Sequence, residues 1–211
     1  MNYRYLIVKT KDVPKAEDFL TPFELKRYKQ FTVEKRAREW LAGRYALKKL
    51  ATEFFNLPLK KMQVKNDKSG VPVLQAEGGN HLTVSISHSG EYAAAAISMI
   101  GGLIGVDVEK IEPRSEAWVK EYFDKEEILA LEPAYLTELW AKKEAVLKLL
   151  KIGLTVPATD VKILNNEVRF YGKALDIWAL KGSPKIVFEQ ETLGNSYKFV
   201  LAYPQVIKED L

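Results

Sequence analysis

Apolar and polar residues alternate over the first ten positions of the chain, which predicts that it begins with a β-strand. The pair Thr21-Pro22 favours a short helix, because proline is well tolerated in the first helical turn. From residue 33 to residue 55 apolar positions recur near the helical period, so a long amphipathic helix is expected there, with Thr32 as its cap. The chain therefore opens with a strand and two helices.

Strand patterns follow the long helix. Residues 82–86 alternate between apolar and polar side chains, and residues 92–98 are predicted to return as the partner strand. Turn-forming residues lie at 66–70 and 77–80, ahead of the first of these strands. The pattern predicts a strand pair packed near the long helix.

The glycine pair Gly101-Gly102 marks a boundary near the middle of the chain. It predicts two domains, residues 1–101 and residues 102–211, the second opening with a strand over 103–109. Helices are expected at three places: 116–122, 125–131 and 136–151, the last with Gly153 in its cap position. Strands fill the rest, 161–203, with turns at Asn165-Asn166, Gly172, Gly182-Ser183 and Gly194-Asn195. Each half combines a long helix with strands, which is typical of an α+β protein.

The composition is that of an ordinary globular protein. Of the 211 residues, 47% are hydrophobic and 28% are charged, enough for one large core or two small ones. Lys and Arg number 32 against 28 Asp and Glu, giving a net charge of +4 that suits an anionic ligand or an acidic partner. There is no cysteine, so disulfides, thiolate nucleophiles and cysteine-ligated metal sites are excluded.

No segment predicts a secretion signal or a membrane span. The first ten residues carry Arg4 and Lys9 and lack a continuous apolar run. The longest uncharged stretch lies between Glu91 and Asp107, shorter than a span of about 20 residues and interrupted by glycine. We expect a cytoplasmic protein that does not contact membranes.

Two carboxylates are expected to converge at the end of a strand. Within residues 105–109 the strand period of two puts Asp107 and Glu109 on one face and the intervening valines on the other. Together with a third carboxylate, such a pair makes a good oxygen cage for Mg²⁺. The same pattern also fits a solvated strand face, so the motif alone leaves both readings open.

The helix predicted over 136–151 carries Glu144 and Lys148 one turn apart in the stretch from Trp140. Glu followed by Lys at this spacing forms a favourable surface ion pair, which explains the pattern without any function. The same two side chains could instead face a ligand-binding or catalytic site.

Basic and hydroxyl residues form two further candidates in the first half. His88 stands between Ser87 and Ser89, where it could donate to a phosphate or belong to a capped turn. Arg36 and Arg44 lie two turns apart on the long helix, as solvated charge or as ligand contacts.

Several function classes lack their signatures. The sequence has neither a Gly-x-x-x-x-Gly-Lys-Ser/Thr phosphate loop nor a Gly-x-Gly-x-x-Gly fingerprint, and residues 101–105 have the wrong spacing. The Gly-x-Ser-x-Gly elbow and the His-Glu-x-x-His zinc motif are also absent. Basic residues are interleaved with acidic ones and no nucleic-acid module appears, which disfavours nucleic-acid binding.

Taken in order, these motifs resemble the two-domain 4'-phosphopantetheinyl transferases, the class that includes the activators of surfactin and enterobactin synthesis. The family pattern is an arginine-bearing helix, Gly-x-Pro, Ser-His-Ser, Gly-Ile/Val-Asp-x-Glu, Trp-x-x-Lys-Glu-Ala-x-x-Lys and Gly-Leu. The matching positions are 36–44, 70–72, 87–89, 105–109, 140–148 and 153–154. One departure is Val71, where the family often has a lysine; Lys68 lies nearby.

The resemblance implies an α+β fold with two similar α/β subdomains in a pseudo-twofold arrangement and an active site between them. It implies transfer of the 4'-phosphopantetheine group of coenzyme A to a serine of an apo acyl or peptidyl carrier protein, with release of 3',5'-ADP. The partners are then coenzyme A and a carrier protein. The length favours a two-domain monomer over the short trimeric synthases of related chemistry.

The resemblance also assigns roles to residues. Asp107, Glu109 and Glu144 would hold Mg²⁺, or Mn²⁺, on the diphosphate of coenzyme A. Lys143 and Lys148 would face the diphosphate, and Glu144 or water on the metal would accept the serine proton, so Glu144 and Lys148 are the expected catalytic residues. The expected 3'-phosphate ligands are Arg36, Arg44 and His88, with Arg27, Lys65, Lys68 and Ser87 as weaker candidates.

The main alternative is a non-catalytic relative that binds coenzyme A or a carrier protein. The presence of all three candidate metal ligands favours the enzyme.

Overall fold

The computed structural model describes residues 3–76, 82–99 and 102–205, which contain ten strands and six α-helices. The first half consists of β1 (Tyr3–Lys9), α1 (Ala16–Phe19), α2 (Pro22–Tyr28), α3 (Glu34–Phe55), β2 (Gln63–Asn66), β3 (Pro72–Gln75), β4 (Thr83–Ser89) and β5 (Tyr92–Ser98). The second half consists of β6 (Gly105–Lys110), α4 (Glu116–Tyr122), α5 (Pro133–Leu150), β7 (Val161–Leu164), β8 (Glu167–Phe170), α6 (Gly172–Leu180), β9 (Ile186–Leu193) and β10 (Tyr197–Pro204).

Two three-stranded antiparallel sheets form the centre of the molecule. The first has the strand order β1-β5-β4 and the second has the order β6-β10-β9. Each half adds a two-stranded hairpin, β2 with β3 and β7 with β8. Apart from the short helices, both halves run through a strand, a long helix, a hairpin and two strands. The expected α+β fold of two similar halves is confirmed.

Each sheet packs one face against the long helix of its own half and the other face against the sheet of the other half. Leu6 of β1 packs in one core with Leu47 of α3. On the opposite face, Ala94 of β5 packs in another core with Val106 of β6 and Phe199 of β10. Helix α5 covers the outer face of the second sheet. The resulting layers are α3, the two sheets and α5.

Gly105 lets β6 approach α5 closely. A Cβ atom built on Gly105 would lie 1.8 Å from the carbonyl oxygen of Ala145 and 2.7 Å from the amide nitrogen of Leu149. No real Cβ atom tolerates such distances, so a larger residue would push the strand away from the helix. The glycine of this motif therefore sets how near the carboxylates of β6 come to α5.

The two halves also meet edge to edge, through side chains of β4. Ser85, Ser87 and Ser89 alternate along this strand, and we call them the serine seam. The Oγ of Ser85 accepts a hydrogen bond from the amide of Val106 at 3.0 Å, and that of Ser89 accepts one from the amide of Lys110 at 3.2 Å. Hydroxyl groups thus bind backbone amides of β6 at the edge where the two sheets meet.

Two predicted caps are wrong. The residue that precedes α3 is Val33 rather than Thr32, and its side chain makes no capping hydrogen bond. The residue that closes α5 is Lys151 rather than Gly153, in the left-handed region with φ of 62°. In contrast, the helix predicted at Thr21-Pro22 does form: α2 begins at Pro22, and Thr21 caps it through a capping box with Glu24.

Two predicted segments differ more widely. Over 125–131 only a single 3₁₀ turn forms, at Lys125–Glu127, and Leu129 and Leu131 are 75% and 68% exposed, so no continuous apolar face supports a helix. The prediction of strands throughout 161–203 is wrong at α6, which includes the expected turn residue Gly172. Helix α6 packs Ala174 and its neighbours against the core of the second half.

Two predictions fall outside the described residues. They are the turn at 77–80 and Gly101 at the expected domain boundary. The division into 1–101 and 102–211 stays a prediction. Among the helices described here, none combines the length and the apolar character that crossing a bilayer requires.

Candidate active site

The carboxylates of β6 face α5, as the strand period predicts. Val106 and Val108 pack toward the first half, while Asp107 lies beside α5 with only 2% of its surface exposed. One Asp107 oxygen, Oδ1, accepts a hydrogen bond from Ser87 at 2.7 Å and contacts the Lys148 ammonium at 2.6 Å. A strand of each half and the helix α5 therefore meet at Asp107.

Glu144 and Lys148 complete this group, which we call the carboxylate cluster: Asp107, Glu109, Glu144 and Lys148. The Lys148 ammonium lies 3.9 Å from the Glu144 carboxylate and also donates to the hydroxyl of Ser87 at 3.0 Å. Its partners lie on β4, on β6 and one turn earlier on α5. The pair is more than a surface ion pair, because Lys148 reaches across both halves.

The electrostatics of the cluster favour a further positive charge. Burial, and then the neighbouring Asp107, raise the pKa of Glu109 to about 7. Burial likewise raises the pKa of Glu144, against the opposing effect of Lys148. Burial alone would lower the pKa of Lys148, but the carboxylates outweigh it and hold that pKa above its ordinary value. Lys148 therefore stays protonated. When all three carboxyl groups are ionised, Lys148 and Arg114, which lies 3.7 Å from the Glu109 carboxylate, supply two positive charges against three negative ones.

Part of the cluster lacks a partner. The second oxygen of Asp107, Oδ2, is buried and accepts no hydrogen bond from the described residues. Burial of an acceptor without a hydrogen-bond partner costs free energy of folding, unless a water molecule, an ion or a ligand contacts it. Across residues 3–76, 82–99 and 102–205, no three acidic or histidine side chains are gathered closely enough to hold a metal ion in the arrangement described.

A cleft of about 560 Å³ opens on the α3 side of β4 and is lined by four basic side chains: Arg27, Arg44, Lys65 and His88. We call it the cationic cleft. These side chains come from α2, α3, β2 and β4, so four elements of the first half converge on it. A larger cleft of about 630 Å³ lies between the β7–β8 hairpin, α6 and β9, but Lys185 is its only basic residue among those described.

Arg44 is the most deeply placed cation of the cleft. Its residue is 8% exposed, its guanidinium lies 4.3 Å from the centroid of the Trp40 ring, and its Nη2 donates to Asn66 at 3.1 Å. Its Nε–H is buried and finds no acceptor among the described residues. Burial lowers the pKa of Arg44 to about 10, so it keeps its charge at neutral pH. A buried cation with a free donor is suited to an anionic ligand.

His88 lies on the strand that separates the cleft from the carboxylate cluster. Its Nδ1 is 3.9 Å from the Glu39 carboxylate. Burial lowers the pKa of His88, Glu39 opposes this, and the charges of Lys148 and Arg44 lower it further. Helix α3 passes close to this strand at Gly43, where a Cβ atom would lie 2.8 Å from Ile86. His88 thus lies within the electrostatic reach of both groups.

The strand β4 connects the two groups directly. Ser87 and His88 are consecutive and point to opposite faces, because side chains alternate along a strand. Ser87 contacts Asp107 and Lys148 of the carboxylate cluster, and His88 lines the cationic cleft. The expectation that Ser87 grips the 3'-phosphate is therefore not supported.

Lys143 is placed differently from the prediction. It is fully buried and forms an ion pair with Glu127 at 2.9 Å, donating also to the carbonyl oxygens of Tyr122 and Ala158. The other Glu127 oxygen accepts from the amide of Ile163. Every proton of the ammonium is used within the fold, so the prediction that Lys143 faces the diphosphate is wrong.

Two other expected phosphate ligands lie outside the cationic cleft. Lys68 is exposed in the turn between β2 and β3, and Arg36 is exposed near the beginning of α3; neither lines the cleft. Lys65, the weaker candidate, does line it and packs 5.5 Å from the Phe23 ring. Strand β2 fixes Lys65, whereas nothing described fixes Lys68.

Arg114 is a residue of the site that the sequence reasoning missed. Its guanidinium lies 3.7 Å from the Glu109 carboxylate and 4.6 Å from the Trp118 ring. It belongs to the loop between β6 and α4, where no periodic pattern points to a neighbour. The one available signal is Pro113, which directly precedes Arg114 and indicates that the chain turns soon after the predicted strand ends.

Comparison with known proteins gives a consistent result in both halves. The model of the 4'-phosphopantetheinyl transferase N-terminal domain matches residues 9–100, and that of the 4'-phosphopantetheinyl transferase superfamily matches residues 103–200. The second model includes the carboxylate cluster, and the first includes the cationic cleft.

Curated relatives include the 4'-phosphopantetheinyl transferase psf-1 of Bacillus pumilus, 28% identical over 126 residues, which are 56% of this chain and 52% of the relative. The human L-aminoadipate-semialdehyde dehydrogenase-phosphopantetheinyl transferase is 27% identical over 155 residues, 64% of this chain and 49% of the relative. The chain thus spans about half the length of these relatives.

Among solved structures, the holo-(acyl-carrier-protein) synthase of Bacillus anthracis in complex with coenzyme A is 26% identical, with a TM-score of 0.42 over 46% of this chain and 94% of that one. The match covers about one half of this chain.

The resemblance drawn from the motifs is confirmed by the two family models, and the chain belongs to the two-domain 4'-phosphopantetheinyl transferases.

Proposed function

We propose that this protein transfers the 4'-phosphopantetheine group of coenzyme A to a serine of an apo acyl or peptidyl carrier protein and releases 3',5'-ADP. The observation that carries the proposal is the position of Ser87 and His88, which join a carboxylate cluster and a cationic cleft across one strand. Coenzyme A has two anionic parts, a 3'-phosphate on its ribose and a 5'-diphosphate. The protein has a basic cleft that suits one of them, and beside it a group of carboxylates that would hold a metal ion for the other.

The cationic cleft is the proposed site of the 3'-phosphate. Arg27, Arg44, Lys65 and His88 line it, and the Nε–H of Arg44 has no acceptor among the described residues. A phosphate oxygen would satisfy that donor with a charge-assisted hydrogen bond. Val71, in place of the lysine common in the family, leaves Lys65 as the basic residue that this hairpin contributes to the cleft.

The carboxylate cluster is the proposed site of the metal ion. Asp107, Glu109 and Glu144 would hold Mg²⁺ or Mn²⁺, since both prefer oxygen ligands. The donor set suits such an ion, because Asp107 Oδ2 is buried and has no hydrogen-bond partner among the described residues. Burial raises the pKa of Glu109 and of Glu144, so a bound cation would stabilise their charged forms. When bound, the ion neutralises charge on the diphosphate.

Lys148 and Glu144 would carry out the remaining steps. The serine Oγ forms a bond to the phosphorus that carries pantetheine, the bond from that phosphorus to the bridging diphosphate oxygen breaks, and 3',5'-ADP leaves. The Lys148 ammonium stabilises the charge that grows on the leaving oxygen. Glu144 accepts the serine proton. Burial raises the pKa of Glu144 above its ordinary value, which makes its carboxylate a stronger base.

A groove beside the cluster suits the carrier protein. It has a volume of about 380 Å³ and is lined by apolar residues that include the buried Phe123 and Leu136. Three basic residues, Arg114, Lys120 and Lys125, and one acidic residue, Glu116, also line it. Arg114 also contacts Glu109, so the groove continues into the proposed metal site. A helix with an apolar face and acidic flanks would fit this surface and present a serine to the cluster.

The second candidate function is coenzyme A binding without transfer. One observation favours it: within the described residues the three carboxylates are not gathered around one point, and Asp107 contacts Lys148 instead. A binding protein of this kind would need the cationic cleft and not the carboxylates.

Intact-mass spectrometry separates the two functions. An apo carrier protein is incubated with this protein, coenzyme A and Mg²⁺, and a parallel sample contains EDTA. We expect the carrier to gain the mass of one phosphopantetheine group, and EDTA to prevent the gain. No gain with fatty-acid, polyketide or peptide carriers, alongside calorimetric binding of coenzyme A, would establish the binding protein instead.

A further inference from the structure

A buried ion pair lies behind the cationic cleft. Glu24 of α2 and Lys48 of α3 are 1% and 0% exposed, and the Lys48 ammonium contacts the Glu24 carboxylate and donates to the carbonyl oxygen of Phe19 at 2.9 Å. Burial lowers the pKa of Lys48, and Glu24 opposes that effect. Buried charges are costly unless they are paired and hydrogen-bonded, and the partners of this pair connect it to the cleft.

The Glu24 carboxylate binds three elements of the first half together. Its Oε2 accepts the amide of Thr21 at 2.8 Å as well as the Lys48 ammonium, and its Oε1 accepts the amide of Val64 at 3.0 Å. Thr21 begins α2, Lys48 belongs to α3 and Val64 belongs to β2. One side chain therefore fixes the relative positions of two helices and a hairpin.

These three elements carry three of the four basic side chains of the cleft. Arg27 lies three residues after Glu24 on α2, Arg44 lies one turn before Lys48 on α3, and Lys65 follows directly the residue of β2 that Glu24 binds. A change in any one contact would move a basic side chain relative to the other two.

The contacts of Glu24 also limit its charge effect on the cleft, which it lines. Both of its oxygens accept hydrogen bonds, one of them from the cation Lys48. The carboxylate is therefore compensated inside the fold, and an anion in the cleft meets the basic side chains with little opposing charge.

We infer that the Glu24–Lys48 pair positions Arg27, Arg44 and Lys65 for the anionic end of the substrate, and that it acts on binding rather than on the transfer step. The inference depends on the proposed function only for the identity of the anion. The second half provides a matched control, because Glu127 and Lys143 form an equally buried pair that contacts neither Arg27 nor Arg44 nor Lys65.

The test replaces both charges at once, because loss of one member would leave the other buried and unpaired. In the variant Glu24→Gln/Lys48→Met, we expect the dissociation constant for 3',5'-ADP, measured by calorimetry, to rise about tenfold, equivalent to about 1.4 kcal/mol. The KM for coenzyme A should rise to a similar extent, while kcat at saturating coenzyme A stays within about twofold, since the carboxylate cluster is untouched.

The control variant is Glu127→Gln/Lys143→Met. It should leave the dissociation constant for 3',5'-ADP within about twofold of the wild-type value. Equal loss of affinity in both variants, or none in Glu24→Gln/Lys48→Met, would overturn the inference. If the double variant does not fold, Thr21→Val replaces it: this change keeps the size of the side chain and removes the hydroxyl that accepts a hydrogen bond from the Glu24 amide. It should raise the same constant by about fivefold, and a value equal to that of the control would overturn the inference.

The wild-type measurement separates this inference from the proposed function. If the wild-type protein binds 3',5'-ADP but transfers nothing, the transferase proposal fails and the positioning role can still be measured. If the wild-type protein binds neither 3',5'-ADP nor coenzyme A, both fail.

Discussion

The two halves of the molecule contain the same buried ion pair at the same place in the fold. Glu24 pairs with Lys48 of α3, and Glu127 pairs with Lys143 of α5. In each half the glutamate belongs to a capping box and also accepts an amide from the first strand of the hairpin; in the second half that amide is from Ile163. The repeat is therefore present in side-chain contacts although it cannot be detected as sequence identity.

The surroundings of the two pairs differ in charge. One turn before Lys48 stands Arg44, whereas one turn before Lys143 stands Leu139. A cleft of about 240 Å³ lies beside Leu139, against about 560 Å³ beside Arg44. The basic residue of the smaller cleft, Lys142, is paired with a glutamate on its own helix. The second cleft occupies the equivalent place but lacks free cations among its described residues.

The carboxylates show the opposite difference. Asp107 and Glu109 of β6 face α5, whereas on β1, the equivalent first strand, Leu6 and Val8 pack in the core with α3. One half therefore supplies the cations and the other half supplies the carboxylates. The comparison teaches that a repeated scaffold can divide the two charges of a substrate site between its copies.

The largest expected effect tests the division of charge. Glu144→Ala should lower the rate of transfer about a thousandfold, since it removes both a proposed metal ligand and the proton acceptor. The matched control is Glu138→Ala, on the same helix but paired with Lys142 and Lys198 outside the cluster; it should keep most of the activity. Initial rates measure the effect on transfer, and thermal unfolding curves show whether each variant is folded. Wild-type turnover by Glu144→Ala would refute the proposed site.

The next effect tests the equivalence of the two ion pairs. Lys48→Met and Lys143→Met should each lower the free energy of unfolding by about 3–5 kcal/mol, because each leaves a buried carboxylate without its cation. Denaturant unfolding of the two variants measures this. A large loss at one position and none at the other would break the equivalence of the two halves.

A smaller effect tests the cationic cleft. Arg44→Ala should raise the KM for coenzyme A about tenfold with little change in kcat, as expected when a binding contact is lost. Arg36→Ala should change neither constant, because Arg36 is exposed and does not line the cleft. Steady-state kinetics of both variants measure this, and an unchanged KM in Arg44→Ala would remove Arg44 from the phosphate site.

The smallest effect tests the contact between the halves. Ser85→Ala should lower the free energy of unfolding by about 1 kcal/mol, since the buried amide of Val106 loses its acceptor. Ser89→Ala should cost less, because its hydrogen bond to Lys110 is exposed to water. Chemical denaturation of both variants would show whether this order holds; a reversed order would mean that the outer contact holds the halves together.

Much of the site could be predicted from sequence because it depends on local period. The strand period places Asp107 and Glu109 on one face, and Gly105 is required by the approach of Ala145. The motif order gives the family without any knowledge of packing. The contact of Lys148 with Ser87, by contrast, joins residues 61 positions apart, and no local pattern indicates it.

Burial explains the predictions that failed. Lys143 and Lys148 look equivalent in the sequence, but one is fully buried against Glu127 and the other reaches the site. The spacing of Asp124 and Glu127 is a capping-box signal that could have identified the buried partner. Helix α6 was missed because its glycine suggested a turn, although Ala174 and the apolar residues after it follow the helical period.

The serine seam has a consequence for the behaviour of the chain at high concentration. Strands β4 and β6 are outer strands of their sheets, and an outer strand normally offers free amides and carbonyls to a strand from another molecule. Ser85 and Ser89 occupy amides of β6 from within the same chain. The contact that brings Ser87 to Asp107 therefore also protects the β6 edge against strand addition and aggregation.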